Sequence, residues 1–240
     1  MLHAYQGRLQ QSRQESIQAV TLAREAHLNE RAALFEGSAA IREAFYGYPA
    51  ESSRLASAAE QIINGRDSGF PVAFALALSR NDARAMMMVA QMETRYPEDT
   101  CVHFIYVPAL RGLLAIHQGN PAKAIELLTV SKPYETAQTG VSLYVHYGSL
   151  YPSYVRGLAY QQLHQYREAA AEFRWMLDHP GLLLDDPVGL PTRLQLARAL
   201  RDAGDRAGAK AAYQDFFTLW KDADADIPLL RQAQSEFARL

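Results

Sequence analysis

The chain has 240 residues, of which 49% are hydrophobic and 21% charged, and its formal net charge is −2. That suffices for one extended domain or two ordinary ones, and the near-neutral balance speaks against a nucleic-acid footprint or a basic membrane-binding face. A single cysteine, Cys101, excludes an internal disulfide framework and a Cys-rich metal site, and no run of about 18 apolar residues is present to span a membrane.

Taken in chain order, the predicted elements are helical hairpins, with no alternating β-branched run of strand type. The opening MLHAYQGRLQQSRQ lacks the apolar core of a signal peptide, and residues 1–30, with Gly7, Ser12 and Ser16, read as a partial first repeat. Residues 31–66 carry Ala40, Gly47, Ser52 and Ala56 at the spacing that recurs through the chain. In residues 67–99 the same places hold Ala73, Arg80, Ala85 and Val89, closed by Pro97. Residues 100–135 hold Gly112, Gly119, Ala124 and Leu128, and Asn120-Pro121 reads as a cap and first-turn proline. Residues 140–180 hold Gly157, Tyr160, His164, Ala169 and Phe173, with a stop at Pro180-Gly181. Residues 187–222 follow with Ala197, Gly204, Ala209 and Tyr213. Residues 227–240 place Leu229, Leu230, Ala233, Phe237 and Leu240 on one face, a closing amphipathic helix.

Two spacings bind these segments together. The second-helix markers Ser12, Ser52, Ala85, Ala124, Ala169 and Ala209 are separated by 40, 33, 39, 45 and 40 residues. Twelve residues before each of the last five stands a first-helix marker: Ala40, Ala73, Gly112, Gly157 and Ala197. Small residues at such positions let paired helices cross closely, while larger ones fill the gap to the next repeat. This resembles the tetratricopeptide arrangement, most specifically at Gly157, Tyr160, Ala169 and Phe173. The expected fold is all-α: a single right-handed superhelix of about five hairpins with a capping helix. Its phase opens midway through a hairpin, predicting an uncovered apolar face at the N-terminus and a Met1 imposed on a longer protein.

The segments YVRGLAYQQLHQYREAAAEFRWMLDHPG, LQLARALRDAGDRAGAKAAYQDFFTLWKDADADIPLL and RGLLAIHQGNPAKAIELL resemble the C-terminal repeat region of bacterial serine/threonine protein kinases of the Pkn type. Related arrays follow winged-helix regulatory domains. The resemblance implies a non-catalytic sensing or partner-binding module. In these 240 residues there is no G-x-G-x-x-G, H-R-D or D-F-G, so kinase activity would belong to another part of the parent. If that parent spans a membrane, the repeats would lie outside the cytoplasm; in a soluble regulator they would be cytoplasmic.

Motifs with chemistry are weak. Asp222, Asp224 and Asp226 open like a calcium loop, but Ile227 and Ala233 stand where its Gly and Glu are required, favouring a linking loop. GDRAGAK lacks the Gly-Lys-Ser/Thr ending of a phosphate loop, and the seven histidines form no H-E-x-x-H. No metal site, cofactor or catalytic residue is expected. Met86, Met87, Met88 and Met92 read as core, with an adaptable surface as the alternative. Recognition would fall to first-helix side chains lining the concave face: Tyr106, Leu113, Tyr147, Tyr151, Tyr154, Gln161, Arg198 and Arg201. The tyrosines suit an interface by offering contact area with a polar tip, although packing between long helices would use them equally well. A protein or peptide partner in that groove is the favoured occupant. A small-molecule pocket in the Tyr-rich middle is the alternative, and a homodimer through the N-terminal half-repeat is a further expectation.

Overall fold

The computed structural model describes residues 2–63, 65–137 and 148–240, and every regular element among them is helical. The order is α1 (Leu2–Tyr5), α2 (Leu9–Glu25), α3 (Asn29–Tyr46), α4 (Pro49–Ile62), α5 (Arg66–Leu78), α6 (Asp82–Arg95), α7 (Val107–His117) and α8 (Pro121–Leu128). After the undescribed residues come α9 (Tyr151–Gln162), α10 (Tyr166–Leu177), α11 (Pro180–Leu183), α12 (Gly189–Asp202), α13 (Arg206–Leu219) and α14 (Pro228–Phe237). A π turn, Val102–Tyr106, leads into α7. Pro108 cannot donate to the Phe104 carbonyl, and widening the turn ahead of it relieves that clash.

The same backbone device reverses the chain at each hairpin. Gly7, Gly47, Arg80, Gly119, His164 and Gly204 all adopt the left-handed conformation, with φ between 59° and 96°. At Gly204 the amide donates to the Arg201 carbonyl and the next amide, Asp205, reaches back to Leu200. These paired bonds satisfy carbonyls that a helix end leaves open. Asp205 then starts α13 by accepting from the Gly208 amide at 2.9 Å. At Asn120 the side chain makes no capping bond, and the start of α8 rests on Pro121.

Successive helices pack as neighbours: α2 on α3, α3 on α4 and α5, α7 on α8 and α9, α9 on α10, and α12 on α10 and α13. Small residues set the crossings. A Cβ on Gly157 would lie 2.5 Å from the Phe173 ring, and one on Gly112 would press Leu128 and Val155 at 3.1–3.2 Å. Ala124, Ala169, Ala197 and Ala209 are fully buried. Helices α3, α5, α7, α9 and α12 form an inner layer, and α5 is buried continuously from Ser68 to Ala77. Its sequence is correspondingly apolar all round, as a helix covered on every side must be. The outer helices α2, α4, α6, α8, α10 and α13 bury one stripe each. On α6, Met88 and Met92 are inside while Met86 and Met87 face outward.

The array closes on itself. The Trp220 indole donates to the Tyr5 carbonyl at 3.0 Å and stands edge-on to Tyr46 at 5.1 Å. The Asp224 amide donates to the Gly7 carbonyl, and the Asp224 carboxylate accepts from the Gln10 amide at 2.8 Å. The Tyr48 hydroxyl reaches the Asp226 carbonyl, and Pro228 packs beneath Gly47. Thus the N-terminal hairpin expected to lack a neighbour has its opening turn covered by the α13–α14 loop. Further along α2, Ile17 and Leu22 remain exposed.

Candidate functional site at the seam

The residues expected to line a groove are in large part interior. Tyr106 and Tyr151 have no exposed surface, Tyr154 has 3% and Leu113 has 2%. This corrects the expectation of a tyrosine-lined binding face. Because the ends meet, the inner helices face one another and their side chains fill the space. Tyr106 stacks on Phe70 at 4.3 Å, Tyr151 stands edge-on to Phe70 and Phe74, and Tyr154 meets Phe45 at 5.6 Å. Burial pushes the Tyr154 hydroxyl up to about 12, so it stays protonated. Tyr147, with Tyr144 and His146, lies outside the described residues.

The other expected contacts are also engaged. Both guanidinium nitrogens Nε and Nη2 of Arg198 hold the Glu236 carboxylate at 2.8 Å, fastening α12 to α14. Burial alone would raise the Glu236 pKa, but the Arg198 bonds and charge hold it below its ordinary value. Arg201 pairs with its neighbour Asp202 at 2.7 Å and reaches Tyr213 at 3.4 Å. Gln161 bridges to the Gln195 carbonyl at 3.4 Å. Tyr160, at half burial, packs on the core, and Phe173 and Tyr213 are wholly inside.

Two buried polar centres escaped the sequence reading. Arg156 is held by Glu135 and Glu172, each at 2.6 Å, tying α9 to α10 and to the turn after α8. Asp186, also buried, accepts from the Tyr151 hydroxyl and the Val188 amide, both at 2.9 Å. Burial pushes its pKa up to about 7. Arg156 and Asp186 are themselves buried and fully engaged, so both centres read as structural.

One cleft that opens to solvent, of about 550 Å³, lies where the two chain ends meet. Its apolar wall comes from Leu177 of α10, Leu196 of α12, and Ala212 and Leu219 of α13. Gln6 and Arg8 border it from the N-terminal turn, and Arg193, Asp215, Thr218, Lys221 and Asp222 complete the rim. The Arg193 guanidinium lies 5.7 Å from the Tyr5 ring centre and donates to the Gly189 carbonyl at 3.4 Å. Arg8 approaches Asp222 at 3.9 Å, both still well exposed. The aspartates of DADAD thus work as a clasp on the N-terminal turn. Among the described residues, no group of three or more His, Cys, Asp or Glu side chains is placed to hold a metal, and no helix is long and apolar enough to cross a membrane. Comparison of the chain with protein families, with characterised proteins and with solved structures finds no significant match.

Proposed function

We propose that this chain is a non-catalytic sensory or docking module of tetratricopeptide-like hairpins, serving as the recognition part of a bacterial serine/threonine kinase or related signalling regulator. The repeat spacing and the resemblance of its three longest segments support that reading, as does the lack of kinase motifs in the chain. The carrying observation is the seam cleft. The inner helices pack on each other, and at the seam an apolar wall and a charged rim converge in the open. Concave, mostly apolar sites with a few placed polar groups are what ligand recognition uses.

Recognition therefore moves from the groove to the seam, for a peptide partner and a small molecule alike. The cleft's volume favours the small-molecule reading, since about 300–1,000 Å³ is the usual size of such sites. Trp220 lies at the seam, so intrinsic fluorescence reports on the site. A panel of metabolites and short peptides titrated into the full chain should give saturable fluorescence changes. Thr218→Tyr, which fills the cleft from an exposed position, should weaken binding at least about tenfold, a loss of roughly 1.4 kcal/mol. Binding that is indifferent to this substitution would place recognition elsewhere.

A further inference from the structure

The charges on the rim of the seam cleft are not matched among themselves, and the mismatch has a pattern. Arg8 and Asp222 face each other loosely at 3.9 Å and offset one another. Arg193 has a ring and a backbone carbonyl for company, with no carboxylate partner among the described residues. Asp215 and Lys221 border the same space, and neither takes part in an ion pair among the described residues. One anion and two cations thus stand beside an apolar wall of Leu177, Leu196, Ala212 and Leu219.

We infer that the seam cleft binds a small zwitterion, an α-amino acid with an apolar side chain or a dipeptide of such residues; this rests on the seam being the recognition site. A simple anion would find Arg193 and Lys221 but would be repelled by Asp215, and a simple cation would meet the reverse. A zwitterion satisfies both signs at once. Arg193 is suited to the carboxylate, because its planar fork donates two parallel hydrogen bonds and the Tyr5 ring and Gly189 carbonyl restrain its orientation. Lys221 adds a second positive charge on the same side of the balance. Asp215 accepts from the ammonium. The leucine wall takes the side chain, and 550 Å³ holds one or two residues but not a folded segment of a protein.

The test uses the full chain with four probes: leucine, the dipeptide Leu-Leu, N-acetyl-leucine and leucinamide, followed by calorimetry and tryptophan fluorescence. Leucine or Leu-Leu should bind, with the acetylated and amidated forms at least about tenfold weaker. Tighter binding of the dipeptide identifies peptides as the source of the ligand, and tighter binding of leucine identifies free amino acids. Arg193→Gln should abolish the penalty for amidation, while Asp215→Asn should abolish the penalty for acetylation. A merely structural role for either residue would shift all four probes together. Should the acetylated and unmodified forms bind equally, yet both be lost in Thr218→Tyr, the zwitterion is wrong and the seam site stands. Zwitterion binding that survives Thr218→Tyr overturns the seam site itself. No saturation by leucine or Leu-Leu below about 10 mM, with the helical spectrum intact, overturns the ligand class.

Discussion

Two glycines show how differently the same residue can matter. Gly157 is there for space, since a Cβ would meet the Phe173 ring at 2.5 Å where α9 crosses α10. Gly204 is there for its backbone: φ is +84° and nothing lies within 4 Å of an added Cβ. Alanine at Gly157 must push the helices apart and should cost about 2 kcal/mol, the usual penalty for overpacking a core. Alanine at Gly204 strains only a left-handed turn, costing about 1 kcal/mol. Urea unfolding separates the two mechanisms. Pairing each variant with Phe173→Leu should relieve the first and leave the second unchanged, and equal relief in both would refute the distinction.

Between elements, the contact with most chemical leverage is Tyr151 on Asp186, which joins the start of α9 to the loop leading into α12. Burial holds the Asp186 carboxyl protonated up to about pH 7, far above its ordinary value. A raised folded-state pKa contributes stability that is fully present below the unfolded-state value near 4 and is lost as the pH climbs through 7. Three units correspond to at most about 4 kcal/mol. Stability measured by denaturation should therefore fall between about pH 4 and 7 in the natural chain. Asp186→Asn, which keeps an acceptor for Tyr151 and Val188, should flatten that decline. An identical pH slope in both proteins would show that Asp186 ionises freely. Nothing local to Asp185-Asp186-Pro187 announces this: the carboxyl becomes buried only because α9 lands on it.

At the scale of the whole molecule, closure changes what the chain ends do. An open array frays from its termini, because each repeat leans only on its neighbours. Here Trp220, 2% exposed, is shared by both ends through Tyr5 and Tyr46. Trp220→Ala removes a large buried aromatic and should cost about 3–5 kcal/mol. Its signature is spatial: amide exchange should accelerate at the start of α2, around Gln10, together with α13 and α14. Acceleration confined to α13 and α14 would mean that the seam contributes nothing to the stability of the N-terminal hairpin.

The all-helical architecture was legible in the sequence because it rests on local causes. Gly47, Gly119 and Gly204 stop helices through a conformation that glycine adopts without strain, and Pro121 and Pro228 start them by their fixed φ. Small residues twelve apart signalled close crossings because a Cβ clash needs only two adjacent helices to arise. Burial of Tyr106, Tyr151 and Tyr154 was not legible. Whether an inward-facing tyrosine meets solvent or Phe70 depends on how far the array curves, and curvature accumulates over every crossing rather than residing in one of them. The clasp of Asp224 on Gly7 and Gln10 joins residues more than 200 positions apart and has no local signature. The sequence by itself determined the helices and their turns, which are set within a few residues by backbone sterics and hydrogen bonding. Only the tertiary structure decided that the interior is filled and that the open cleft lies at the seam, because both follow from the summed geometry of the whole chain.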